Sequence, residues 1–386
     1  MSKKISKREF IRHSLMGLGG VALGLKSVES FSKKLFSMNG SENPVGGLGR
    51  FSKESPYCIV TPKGVKCMIC PNECILTEGK ESICFTKVTK DDKLYTTAYG
   101  NPCAVHVDPI EKKPLFQFYP GSRSFSIATA GCNLACLNCQ NWEISQKNPS
   151  QTKNFDLFPA EVVKQAASNG CHSIAYTYSE PIAFYEYTFD TARLARERGI
   201  KNVFISNGFI NEKPLRELAV YLDGANINLK SFSEETYLKL NGGSLKPILN
   251  TLKVLKEMGV WLEITNLIVP NWTDNPVMIK EMCTWLVDNG FEDSPLHFSR
   301  FFPLYKLTTL PFTPLPILEQ AHDIALDAGI KYVYIGNVPN IKAENTYCPE
   351  CKKLLLERKG FTILENNIRD GKCRFCGATI AGRWST

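Results

Sequence analysis

Beyond its first 36 residues the chain has very little net charge. The full 386 residues carry +8, but residues 1–36 hold eight Lys or Arg against two acids and account for +6 of it. So weak a positive excess elsewhere gives no compositional case for nucleic-acid binding by the folded part. Long apolar runs are lacking as well. The Gly-rich apolar stretch at residues 15–25 is eleven residues long, too short for a hydrocarbon core that needs about 20. A third shortage is local. Cys132, Cys136 and Cys139 in AGCNLACLNCQNWEISQ (130–146) have no fourth cysteine close by. Four thiolates close a zinc or iron–sulfur centre, whereas three leave a coordination position open for chemistry.

Cysteine itself is abundant, with fifteen in the chain. Eleven fall into three tight sets, and Cys58, Cys103, Cys171 and Cys283 lie outside them. Clustered CxxC pairs in a chain of this size read as metal ligands before disulfides, because disulfide frameworks typify small secreted domains. Cys67, Cys70, Cys74 and Cys84 form a four-thiolate set that suits zinc or an auxiliary iron–sulfur cluster; both readings stay open. Cys348 and Cys351 are answered by Cys373 and Cys376, 21 residues further on. Two such knuckles match a zinc ribbon.

The alternation from residue 124 to 337 sets the fold expectation. Strand-like runs at 124–130, 172–178, 202–207, 224–230, 261–269, 296–302 and 331–337 are separated by helical patterns. In LKPILNTLKVLKEMG, Leu245, Ile248, Leu249, Leu252 and Leu255 recur at helical spacing, one apolar face against a sheet. This predicts an α/β protein with a partial or full β/α (TIM-like) barrel of six to seven units, with a flat doubly wound sheet as the alternative. In either case chemistry gathers at the C-terminal strand ends. Tyr178, Ser179 and Glu180, then Asn207, Asn228, Lys230 and Arg300 stand at or just past those ends. Glu263 and His297 are further polar residues on the predicted strands. The expected domains are a targeting segment (1–36), a Gly/Ser/Asn-rich linker (37–55), a Cys-rich metal-binding segment (56–115), the barrel (116–340) and a zinc-ribbon-like module (341–386).

CxxxCxxC opening a β/α barrel resembles the radical S-adenosylmethionine (radical SAM) superfamily. The finer match, carried by Gly131-Cys132-Asn133, Cys139-Gln140-Asn141-Trp142-Glu143-Ile144-Ser145, Tyr176-Thr177-Tyr178-Ser179-Glu180-Pro181, Asn228-Leu229-Lys230 and His297-Phe298-Ser299-Arg300-Phe301, resembles the radical SAM enzyme of the AmmeMemoRadiSam system. That group is related to the pyruvate formate-lyase activating enzymes. Asn138 and Asn228 depart from the pattern, which has an aromatic residue and an Asp there.

The resemblance implies a [4Fe-4S] cluster on Cys132, Cys136 and Cys139 and S-adenosylmethionine on its free iron. The cluster cleaves the cofactor to a 5′-deoxyadenosyl radical that abstracts hydrogen from a protein or small-molecule substrate. Glu180 is implied to accept from the methionine ammonium, and Lys230 or Arg300 to pair with its carboxylate. Implied partners are a low-potential electron donor and the proteins of the AmmeMemoRadiSam system. The alternatives are a glycyl-radical-enzyme activase and a non-catalytic electron-transfer module.

At the N-terminus, Ser6-Lys7-Arg8-Glu9-Phe10-Ile11-Arg12 resembles the twin-arginine export signal, with Lys7 at the first arginine position. With the basic stretch and the short apolar run it implies export or membrane association; a short amphipathic helix and a cytoplasmic location are the alternative.

Overall fold

The computed structural model describes residues 48–384. The expected targeting segment and most of the expected linker lie outside those residues. Among the described residues no helix is long and apolar enough to cross a membrane.

The architecture is one eight-stranded sheet wrapped by helices. Its strands are β1 (Ala104–Pro109), β2 (Arg123–Ala128), β3 (Ser173–Tyr176), β4 (Lys201–Ser206), β5 (Gly224–Asn228), β6 (Trp261–Ile268), β7 (Leu296–Arg300) and β8 (Val333–Gly336). They pair in sequential order, β1 antiparallel to β2 and every later neighbour parallel. A doubly wound sheet reverses its order at a switch point; this one never does. No pairing among the described residues joins β8 back to β1 or β2, so the barrel is partial. All seven parallel strands fall on the predicted runs, and β1 is an added edge strand.

Six helices connect the parallel strands: α1 (Pro159–Ser168), α2 (Tyr185–Glu197), α3 (Glu212–Ala219), α4 (Leu245–Glu257), α5 (Pro276–Asp288) and α6 (Leu315–Asp327). Their starts are chemically marked. α5 has Pro276 in its first turn, and the Asn275 side chain accepts from Val277 N–H at 2.9 Å, satisfying a donor the helix cannot pair itself. In α4 the predicted face is buried at Leu245, Ile248, Leu252 and Leu255, with Leu249 partly buried at its edge.

Strand alternation sorts the sheet's two faces. Phe125, Ile127, Ile174, Ala225, Ile227, Leu262, Ile264 and Phe298 pack in the large apolar core with the helices. Glu263, Thr265, Asn226 and His297 bond instead to one another or to the segment 114–117. That segment closes the N-terminal end of the sheet. Glu263 accepts Phe116 N–H at 2.9 Å, Gln117 N–H at 2.8 Å and His297 Nε2 at 2.7 Å. Phe118 fills the space beside Gly224, where a Cβ would stand 2.9 Å from its ring.

The segments flanking the barrel are small antiparallel sheets. In the N-terminal one, Lys53–Ser55 pairs with Lys93–Thr96, so a strand begins inside the expected linker. Likewise β1 takes Ala104–Pro109, expected in the Cys-rich segment, into the barrel sheet. Both strands are too short and polar to show a clear alternation in the sequence. The Cys-rich part packs on α2 and α3 through the buried Lys87–Glu186 pair, Tyr57–Tyr185, and Tyr57–Glu217. The C-terminal module covers the opposite, N-terminal end of the barrel. Arg358 bonds the Phe116 carbonyl at 2.7 Å and lies 4.4 Å from that ring, and Arg383 N–H bonds the Gln117 carbonyl at 2.7 Å.

Candidate active site

The loop after β2 carries Cys132, Cys136 and Cys139, and its path is fixed by contacts on both sides. Gly131 has φ +100°, and a Cβ there would collide with the Cys84 carbonyl and Thr86. Only glycine takes that conformation at that approach. On the other side the loop bonds a π-helical turn, Tyr237–Asn241: Ala135 N–H reaches the Asn241 carbonyl and Leu137 N–H the Leu240 carbonyl, both at 2.9 Å. Turns of this kind are frequent at functional sites. Here the widened turn turns the Asn241 amide onto Cys136 Sγ at 3.2 Å.

Cys136 is buried, and Cys132 and Cys139 are half-buried. Cys132 accepts Leu134 N–H at 3.4 Å and has Asn207 Nδ2 at 3.8 Å. Burial drives its pKa well up, and neighbouring Glu180 and Cys136 add to the shift. Burial likewise pushes Cys139 up to about 11, with Lys230 opposing. Thiols held in this way, Cys132 and Cys139, ionise together only if strong positive charge arrives with the ligand they bind. An iron cluster meets that need. The three thiols do not converge within 4.8 Å, so they are not arranged as ligands of one ion.

Around the loop the ends of β3, β4 and β5 supply polar groups. Glu180 is buried and accepts Ser206 Oγ at 2.7 Å, Asn207 N–H at 2.8 Å and Ile182 N–H at 3.2 Å. Burial pushes its pKa up to about 7 against those bonds and the Lys230 charge. Glu180 Oε2 accepts one of these bonds, leaving acceptor capacity for a cationic ligand group. Asn228 Nδ2 bonds the Ser206 carbonyl at 3.3 Å, and Ser179 Oγ bonds the Thr129 carbonyl at 2.7 Å, tying β3's end to β2's. Lys230 is held through its backbone N–H, 2.9 Å from Tyr237 Oη.

Two expected site residues are directed elsewhere. Tyr178, at φ +65°, gives its hydroxyl to Asp108 and lies under the Lys113 ammonium, 4.3 Å from the ring centre. Its carbonyl accepts from Asn141, so its backbone still braces the cysteine loop. Arg300 donates from Nε to the Thr313 carbonyl at 2.8 Å and lies 4.7 Å from the Phe312 ring. Glu263 and His297, read as polar strand residues, hold the 116–117 segment at the N-terminal end. Asn241 escaped sequence reasoning; its only signal is the Asn-Gly-Gly that ends the turn.

The eleven cysteines of the three sets stay apart in two ways. Only Cys348, Cys351, Cys373 and Cys376 have all ligand atoms within 4.8 Å among the described residues. Cys348 and Cys376 sulfurs are 3.7 Å apart, as are those of Cys351 and Cys373.

Residues 126–283 match the profile of the Radical SAM superfamily. An uncharacterized protein of Methanocaldococcus jannaschii is 45% identical over 318 residues, covering 82% of this chain and 95% of that protein. A pyruvate formate-lyase-activating enzyme of Staphylococcus aureus is 26% identical over 239 residues, 57% of this chain and 92% of its own. Among solved structures, Streptococcus suis SuiB aligns with a TM-score of 0.43 at 15% identity, over 59% of this chain and 52% of that one.

Proposed function

The chain belongs to the radical SAM superfamily, and from that premise we propose how its own residues divide the work. It is a radical SAM enzyme. Cys132, Cys136 and Cys139 are the ligands for the [4Fe-4S] cluster, with the fourth iron left to S-adenosylmethionine. When bound, the pair supplies reductive cleavage of the cofactor to a 5′-deoxyadenosyl radical that takes hydrogen from a substrate.

Glu180 is the acceptor for the methionine ammonium. Ser206, Asn207 and Ile182 hold it in place without exhausting its lone pairs. A cation against it returns Glu180 to the charged form that burial disfavours. Lys230 is the carboxylate partner in preference to Arg300, whose guanidinium is engaged by Thr313 and Phe312. Asn207 and Asn241 donate toward Cys132 and Cys136. The observation that carries this reading is the placement of three thiols, Cys136 buried and Cys132 and Cys139 half-buried, beside the buried Glu180 carboxylate. It is tested by anaerobic reconstitution and reduction with dithionite. Wild type should release 5′-deoxyadenosine and methionine, and C132A/C136A/C139A should release neither. Cleavage that survives the triple change overturns the reading.

The substrate belongs, in our reading, to the AmmeMemoRadiSam system rather than to a glycyl-radical enzyme. Support comes from the motifs at 139–145 and 176–181. A low-potential electron donor and that system's partner proteins complete the assembly. For Cys348, Cys351, Cys373 and Cys376 we infer structural zinc. Zn–S bonds of about 2.3 Å in a tetrahedron put sulfurs about 3.8 Å apart, close to the observed 3.7 Å. Residues 1–36 are proposed to direct export or membrane association.

A further inference from the structure

Cys67, Cys70, Cys74 and Cys84 take no part in the reading above, yet the fold gathers them next to it. Cys67, Cys70 and Cys84 are buried and Cys74 is half-buried. Cys67 N–H bonds the Cys74 carbonyl at 2.9 Å, and a tight turn brings Glu73 N–H to the Cys70 carbonyl at 3.1 Å. Electrostatic influence runs between Cys67 and both Cys70 and Cys84, and between Cys84 and both Cys70 and Cys74. Even so, no three of these thiols lie within 4.8 Å of one another, unlike the C-terminal four.

That difference within one chain discriminates between occupants. A zinc ion draws four sulfurs onto one point, whereas an iron–sulfur cube spreads four thiolates over four irons. Sulfurs on separate irons stand farther apart. Like Cys132, Cys136 and Cys139, the N-terminal set is not drawn onto one point. It also has a hydroxyl donor at hand. Ser82 Oγ lies 3.1 Å from Cys84 Sγ, while Thr86 Oγ1, 3.2 Å away, gives its proton to the Ala183 carbonyl.

The two thiol sets are also joined. The Asn133 side chain lies beside the Cys70 thiol and donates to the Phe209 carbonyl at 2.7 Å. Asn133 Oδ1 accepts from Asn207 Nδ2 at 2.9 Å, and the same Nδ2 is 3.8 Å from Cys132 Sγ. Asn72 Nδ2 bonds the Asn133 carbonyl at 2.7 Å, and the Cys84 carbonyl backs onto Gly131. Two amide side chains are thus all that separates Cys70 from Cys132 along this path.

We propose that Cys67, Cys70, Cys74 and Cys84 ligate a second [4Fe-4S] cluster in electron-transfer contact with the one on Cys132, Cys136 and Cys139. This rests on the reading of the three-cysteine site given above. The step moves one electron and breaks no bond. A low-potential one-electron carrier reduces the second cluster, and passing that electron to the first cluster reoxidises it.

The test uses the full chain, reconstituted anaerobically with iron and sulfide. Wild type should hold roughly twice the iron of C132A/C136A/C139A, since each cube carries the same number of irons. That variant should keep one paramagnetic signal after dithionite reduction. Cys70→Ser should lose the iron that the triple variant keeps. In reduced wild type the two signals should broaden each other. A triple variant without iron overturns the second cluster and leaves the three-cysteine reading standing. A triple variant with undiminished iron overturns that reading instead. Two signals that merely add, with no mutual broadening, overturn the electron-transfer contact. If Cys70→Ser fails to fold, by near-UV circular dichroism, the comparison of wild type with the triple variant decides.

Discussion

Glu180 Oε2 accepts the backbone N–H of Asn207 at 2.8 Å, and the side chain of the same Asn207 points its amide at Cys132. One residue at the end of β4 therefore positions both the carboxylate and a cluster thiol. The carboxylate also carries a stability signature. Its pKa is raised by burial from 4.5 to about 7, so between these values the folded chain holds a proton that the unfolded chain has released. Its contribution is full below pH 4.5 and is lost as pH rises toward 7 and above. The difference is worth about 3 kcal/mol. Thermal unfolding of cofactor-free protein should show stability from this group falling across that window, and Glu180→Gln should flatten the slope. An unchanged slope in the variant would remove Glu180 as its source.

Asp108 anchors the other wall. Burial alone would raise its carboxyl, but Lys113, with bonds from Lys113, Tyr178 and Lys112, holds it well below its usual range. Lys113 is pulled down by burial to about 8 with Asp108 opposing. Asp108→Asn leaves a buried cation without its counter-charge, at a cost of about 3–5 kcal/mol. Because the unfolded chain holds the lysine proton to higher pH, part of that loss should return as pH rises toward 10. Denaturant titrations at neutral and alkaline pH check both the loss and its recovery.

Gly131→Ala should cost about 2 kcal/mol or more, since the alanine faces both an unfavourable φ and the Cys84 carbonyl. Iron retention should fall with it, as the cysteine loop is pushed off its seat. Near-normal iron loading and an unchanged melting temperature would contradict the tight fit described for that residue.

Chelating the metal expected on Cys348, Cys351, Cys373 and Cys376 should loosen residues 345–384 while S-adenosylmethionine cleavage persists. A closed four-thiolate site supplies folding energy and leaves no open position for chemistry. Hydrogen exchange read alongside 5′-deoxyadenosine release tests this. Cleavage that stops as soon as the module loosens would give the module a catalytic part.

A Lys7→Gln/Arg8→Gln chain should shift from the membrane or exported fraction to the soluble cytoplasmic fraction. Equal cytoplasmic solubility of both chains would reduce the basic segment to a tail.

The seven parallel strands were legible because each pairs a β-branched or aromatic run with a following amphipathic helix, two periodicities that agree. β1 was not legible. Its AVHVDP carries a half-exposed histidine, ends in Asp108-Pro109 and gains its place only by antiparallel pairing with β2. The thiol triad was readable from spacing alone, as was the C-terminal four. Side-chain directions were not. Tyr178 and Asp108 are 70 residues apart, and nothing around Tyr178 announces that partner. Arg300 is claimed by Thr313 across a loop. Glu263 and His297 stand near the N-terminal ends of their strands, and nothing in the sequence announces that residues 114–117 fold back to meet them.

That fold-back shuts one end of the barrel. Phe116, held by Glu263 on one side and Arg358 on the other, plugs that end. Whatever is to lose hydrogen is left two ways in: the end where Cys132 and Glu180 stand, and the seam that the unpaired edges β8 and β1 leave along the wall.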